Sequence, residues 1–563
     1  MLQGTSGKRS TSEAIHLIDR QIASLRESIR VLHSQRNGLL PISKVPAEIL
    51  TEIFLLHQRN VTKNYTVETL NWIGVTHVSH RWREIALNFS HLWIHIPFYH
   101  PKWAEEMIAR SAQHTCLIVR VTYNRPKQLQ YSSEGQLLKR FLQKHLSRVQ
   151  VLEIRNTIPQ LFQDIQPTSV PCLSTLTLST SLQEPVTESS PLQILDSRLL
   201  NTTSLRKVDI STTLGWDSML FSGLTHLKLG DGRNMPRTQT SQHEFLGALR
   251  RMPTLQCLNL KGPALPETVD RSLLEPVYLP DLRDLSVSDT VSTIEFFLHH
   301  VAFPPTTRIA IGCGCKQLDS TFRLANYSPV LVLLKQLLSN RPRTLKIHHI
   351  KLPCLENYGN WEMIDVKFNG WVSSGPSSLG PEGYNPNFPS SNPDFTFFVQ
   401  WNWRVERIPS DIDEFIAGVF GIFPQDDAVS LSLSSYHIND AWFIPFSRKI
   451  SQLPALNALF LDHISSTQIL LDLDCDIPQE GVNPPTATYP ALLYLDFSNC
   501  KIDAPSLKTL YDCLKKRSER GLGPQKLSVD LRGVQKVDKE AAALVEKVVE
   551  VVWLDSEDED LEW

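Results

Sequence analysis

The sequence predicts an α/β chain in two parts, with a helix and a small all-helical module in front of a long array of short buried strands alternating with helices. Three observations carry this. Apolar residues repeat in heptads between residues 15 and 32, they keep helical spacing from 45 to 93, and from residue 149 a Leu-x-x-Leu-x-Leu pattern returns at intervals of roughly 20–30 residues. The chain has 563 residues, too many for one core.

In the first element, Ser10 and Glu13 have the form of a capping box. Ile15, Ile18, Ile22, Leu25, Ile29 and Leu32 then recur at alternating steps of three and four. The spacing predicts a helix over residues 13–37 after a disordered stretch at 1–12, ending where Gly38 suits a left-handed cap. Such a helix either forms a short coiled coil, dimerising or packing on a neighbour, or lies with its apolar face on its own domain. The shortness of the seam favours the second reading.

The second element, residues 39–97, opens with Leu40-Pro-Ile-Ser-Lys-Val-Pro-Ala-Glu-Ile-Leu-Thr-Glu-Ile-Phe54. Pro46 suits a first helical turn and Glu48 meets its positive end. Ile49, Leu50, Ile53 and Phe54 form an apolar stripe. Val75, Val78, Trp82, Ile85, Ala86 and Phe89 repeat at helical spacing, and Leu92-Trp93 follow. So many large apolar side chains exceed what so small a unit can enclose, and leftover apolar surface marks a partner site.

This stretch resembles the F-box, in the F-box-like form abundant in fungal proteins. The match runs through Pro46, Glu48, Ile49, Leu50, Ile53, Phe54, Val78, Trp82, Arg83, Ile85, Ala86, Leu92 and Trp93. It departs at Val45, where the family usually has Leu, and at Ser79, where it usually has Cys. The resemblance spans residues 13 to about 96, and implies docking on the small Skp-type adaptor of a cullin-RING ubiquitin ligase. The residues it assigns to adaptor binding are Pro46, Glu48, Ile49, Leu50, Ile53, Phe54, Val78, Trp82 and Trp93. For Trp82 and Trp93 a purely internal role competes with contact.

The remainder, residues 98–554, carries the strand pattern. Copies stand at Val149-x-x-Leu152-x-Ile154, Leu173-x-x-Leu176-x-Leu178, Leu205-x-x-Val208-x-Ile210, Leu224-x-x-Leu227-x-Leu229, Leu255-x-x-Leu258-x-Leu260, Leu282-x-x-Leu285-x-Val287, Leu456-x-x-Leu459-x-Leu461 and Leu492-x-x-Leu495-x-Phe497. Pro171, Pro253, Pro280, Pro454 and Pro490 introduce several of them. Helical spacing over His243–Met252, Ser292–Val301, Pro329–Leu338 and Ser506–Lys516 supplies a second layer. The expected architecture is an irregular leucine-rich-repeat-like α/β solenoid, the competing one an α/β sandwich. Residues 371–394, rich in Gly, Pro, Ser and Asn, read as a disordered insertion, and residues 555–563 as an acidic tail.

Chemistry is not legible. Cys313-Gly-Cys315, His299-His300 and His348-His349 lack further ligands at metal spacing, and phosphate-loop and nucleophile-elbow motifs do not occur. No enzyme activity, metal or cofactor is expected. A balance of 56 Lys+Arg against 59 Asp+Glu gives no electrostatic reason to expect nucleic acid or an anionic membrane as partner. Nine cysteines without CxxC pairs, and a leading segment without a signal-peptide run, fit an intracellular protein, cytoplasmic or nuclear. The expected function is a substrate-recognition subunit of a Skp–cullin–F-box ligase, binding the adaptor at the front and an unknown protein target with the repeats. The alternative is an interaction scaffold that recruits no ligase.

Overall fold

The computed structural model describes residues 6–62, 67–122, 132–157, 161–180, 195–211, 215–230, 241–266, 275–314, 324–340, 345–358, 361–372, 394–402, 412–422, 430–434, 440–462, 466–473, 488–497, 504–521, 526–530 and 543–554. The fold is mixed α/β with a large parallel sheet. The chain divides into two compact units, Met1–Leu205 and Arg206–Trp563, so the expected division between residues 97 and 98 falls inside the first.

In the first unit, helix α1 (Ser6–Leu39) leads into a short 3-10 turn, Pro41–Lys44. α1 corrects three expectations. It begins at Ser6, so residues 6–12 of the stretch expected to be disordered are helix, Ser10 lies inside the helix rather than at its cap, and the helix runs through Gly38 to Leu39. A small helical module follows, then strands β1 (His95–Ile96), β2 (Leu117–Thr122), β3 (Val149–Thr157), β4 (Thr168–Ser169), β5 (Thr175–Thr180) and β6 (Leu199–Leu200). The order β1-β2-β3-β5 is parallel throughout, and β4 pairs with β6 apart from it.

The second unit starts with β7 (Lys207–Ile210), β8 (His226–Leu229), β9 (Cys257–Lys261), β10 (Val277–Tyr278), β11 (Asp284–Asp289), β12 (Val301–Ala302) and β13 (Arg308–Gly314). Strands β7, β8, β9, β11 and β13 pair in parallel and in chain order, while β10 pairs with β12. Register aligns the motif residues: Val208, Leu227, Leu258, Leu285 and Ile309 form one row, and Ile210, Leu229, Leu260, Val287 and Ile311 the next. All ten are buried. Each copy therefore sets its apolar side chains against those of its neighbour, the packing one strand cannot obtain alone.

A recurrent turn delivers the chain into these strands. In Val170-Pro-Cys-Leu173, Met252-Pro-Thr-Leu255, Leu279-Pro-Asp-Leu282 and Tyr489-Pro-Ala-Leu492, the last N–H donates to the first carbonyl at 3.1–3.3 Å. Proline fits the second position because its fixed φ matches it. The same turn exposes a copy the Leu pattern misses. At β13 the copy is one residue shorter: the turn ends at Thr307, two positions before Ile309, and its N–H donates to the Pro304 carbonyl while its hydroxyl donates to the Leu282 carbonyl at 2.7 Å.

Beyond β13 the order departs from the chain. Strands β14 (Leu345–Tyr358), β15 (Trp361–Val372) and β16 (Phe395–Asn402) form an antiparallel trio whose last member, β16, pairs in parallel with β13. At that join Gly312 faces Phe398, and a side chain at 312 would run into that ring. Parallel order resumes from β14 through β17 (Ser430–Ser434), β18 (Ala458–Asp462), β19 (Tyr494–Phe497), β20 (Lys526–Asp530) and β21 (Glu550–Leu554). Trp371 and Val372 complete β15, so the expected insertion is strand at its start. Residues 373–393, the 555–563 tail and Cys315 lie outside the described residues.

Candidate functional site

The helical module consists of α2 (Ala47–Thr62), a 3-10 stretch Val67–His77, α3 (His80–Asn88) and the turn Ser90–Trp93. Pro46 stands just before α2, its carbonyl accepting from the Leu50 N–H at 3.2 Å. The next turn begins the division of the α2 side chains into two faces. Leu50 and Phe54 point inward and are fully buried. Phe54 meets Trp82 with ring centroids 5.0 Å apart, and Trp72 meets Trp93 at 5.2 Å. Polar atoms in this interior are matched: Trp93 Nε1 donates to the Ala86 carbonyl at 2.9 Å, and Gln58 Nε2 to that of Leu92 at 2.7 Å. The Arg110 guanidinium lies over the Trp93 ring, 4.5 Å from its centroid.

The opposite face is open. Ile49, Ile53 and Leu56 recur at i, i+4 and i+7 on α2, exposed by 52%, 40% and 55%, and Val78, just ahead of α3, is 54% exposed. Leu39, Leu40 and Ile42 of the lead-in are exposed as well. Glu48 and Glu52 flank the stripe and Pro46 is exposed at its start. The arrangement supplies apolar area with an acidic edge.

Of the nine residues assigned from sequence, Pro46, Glu48, Ile49, Ile53 and Val78 lie on the surface, and Trp82 is half-buried. Leu50, Phe54 and Trp93, assigned with them, are fully buried in the single chain. Leu56 was missed although it continues the Ile49–Ile53 stripe by one turn, a signal present in the α2 pattern. Trp72, which is buried and directly follows Asn71, was missed too.

Two polar residues hold the face in place. Arg81 on α3 donates through Nη1 to the Ser43 carbonyl and through Nη2 to that of Val45 at 2.6 Å, while the Ser43 hydroxyl donates to the Asn37 carbonyl. The 37–45 lead-in is thereby tied to α3. Ser79, one of the two departures from the F-box-like pattern, is the N-cap of α3: its hydroxyl oxygen accepts from the Trp82 N–H at 3.1 Å. Replacing Ser79 with alanine is expected to cost about 1 kcal/mol and to lower the thermal midpoint of the first unit, whereas Ser79→Asp keeps the cap. Nearby, burial holds His95 down to about 4, with Arg120 and Arg59 adding to the effect, so this imidazole is neutral at neutral pH.

Among the described residues no cluster of three His, Cys, Asp or Glu is placed to hold a metal, and no helix is long and apolar enough to cross a membrane. No family model matches the chain, and no curated protein matches it.

Proposed function

We propose that this chain is a substrate receptor of a Skp–cullin–F-box type ubiquitin ligase. The F-box-like module docks on the adaptor, and the remaining strands and helices, read as an irregular leucine-rich-repeat-like solenoid, hold a protein target. The observation that carries the reading is the division of α2: its inner face already fills the module's core, and its outer face leaves Ile49, Ile53 and Leu56 uncovered beside Val78. A small domain gains nothing by keeping such a stripe in water unless another chain covers it. The solenoid reading is supported by the in-register parallel rows of Leu, Ile and Val described above. A receptor of this kind acts by raising local concentration, which asks no catalytic group of it.

Co-purification with a Skp-type adaptor tests the reading. The wild-type chain is expected to bring the adaptor down, and Ile49→Glu combined with Ile53→Glu to weaken binding by about thirtyfold or more, the loss of two central apolar contacts. Both side chains already meet solvent, so unfolding is expected to shift by only about 0.5 kcal/mol. Capture of the adaptor by the double variant, or none by the wild type, would overturn the reading.

A further inference from the structure

We infer that α1 pairs, parallel and in register, with α1 of a second copy of this chain. The inference is independent of the ligase reading. α1 holds 34 residues, about 51 Å of helix at 1.5 Å per residue. From residue 11 to Leu39 every residue is exposed except the half-buried Asn37, so the helix does not lie on its own domain as the sequence favoured. The seam of Ile15, Ile18, Ile22, Leu25, Ile29 and Leu32 stands in water, Leu25 at 64%.

The order of residues in the seam names the occupant. Placing Ile15, Ile22 and Ile29 at heptad position a puts Ile18, Leu25 and Leu32 at d. β-branched residues at a, with mostly Leu at d, suit a parallel two-stranded coil, in which each layer meets its own copy. The flanking g and e' positions bring together Ala14 with Asp19, Gln21 with Arg26, and Ser28 with His33, so no like charges meet. Glu27 and Arg30 bond each other at 2.6 and 2.8 Å on the outer face and are left undisturbed. An antiparallel pair would set Asp19 against Arg26, but an exposed ion pair contributes far less than six apolar layers sorted for the parallel arrangement.

Sedimentation velocity on the full chain between roughly 1 and 100 μM, the range in which a coil this short associates, tests the inference. The wild type is expected to pass from monomer to dimer, and Leu25→Asp combined with Ile29→Asp to stay monomeric, weakened by about a hundredfold or more. Neither substitution touches a core, since both side chains are exposed in the single chain. Leu17→Asp, exposed to a similar degree but off the seam, is expected to leave the dimer intact. Ile18→Cys is expected to give an oxidised inter-chain cross-link absent from the wild type, because only the parallel register brings residue 18 to its own copy. A wild type that stays monomeric, a dimer unaffected by the double substitution, equal dissociation by Leu17→Asp, or a dimer that Ile18→Cys does not cross-link would each overturn it.

Discussion

Replacing Arg517 with leucine is expected to destabilise the second unit by about 3–5 kcal/mol, read as a fall in the midpoint of urea unfolding. The helix Ala504–Glu519 buries Leu507, Leu510, Cys513 and Leu514 along one face, and Arg517 continues that face with no exposure. Its guanidinium donates to the Tyr489 carbonyl at 2.8 Å, and at 3.4 Å to the Leu473 carbonyl and the Thr488 hydroxyl. Leu473 ends the helix Ser466–Leu473, and Tyr489, at φ 46°, opens the turn through Pro490. One side chain thus serves the end of a helix and the start of a strand turn. Leucine fills much of the volume but leaves these buried acceptors without that donor. Burial raises the Tyr489 phenol, and the charge of Asp472 raises it further, so the phenol stays protonated across the neutral range. Arg517→Lys keeps the charge but loses the planar fork that reaches separate carbonyls, and is expected to recover less than half of the loss. A leucine variant within about 1 kcal/mol of wild type would show that these acceptors find other donors.

Trp93→Ala is expected to cost the first unit about 3–5 kcal/mol, measured in the same way. The indole is fully buried, packs on Trp72, lies under Arg110 and is the donor to the Ala86 carbonyl. Trp93→Phe keeps most of the ring contact and gives up the hydrogen bond, so about 1–3 kcal/mol is expected. The pair separates support from contact. If Trp93 acts from inside, Trp93→Phe binds the adaptor as wild type does at temperatures where the module is folded. A loss of binding in a fully folded Trp93→Phe would return Trp93 to the surface.

Eight of the twenty-one strands among the described residues were legible, because the pattern that predicts a buried strand is the one the neighbouring strand packs against. Val208, Leu227, Leu258 and Leu285 each declare themselves by spacing alone and line up in the sheet. Thr307 escaped because its copy is one residue shorter and its turn ends in a hydroxyl bonded to a neighbouring carbonyl, which apolar matching leaves out. Arg517 escaped for a related reason: charge reads as surface until the carbonyls that claim it are placed beside it. In the module the stripe on α2 was visible, but which half of it faces inward depends on Trp72 and Trp93, which only tertiary packing brings together. Ser79 looked like a lapse from a pattern and is a helix cap. For α1 the heptad was clear and its surroundings were not, since periodicity marks an apolar face without saying what covers it.

The antiparallel trio in the second unit bears on how that unit is expected to assemble. Strands such as β8 and β9 find partners within a short stretch of chain, so each association closes a small loop. Ile309 of β13 must instead await Phe395, about 85 positions further on, before the parallel run gains its next member. Growth by addition of neighbours is therefore expected to be slowest where β13 meets β16 and where β14 meets β17, since His349 and Ser432 are paired across a similar distance in sequence.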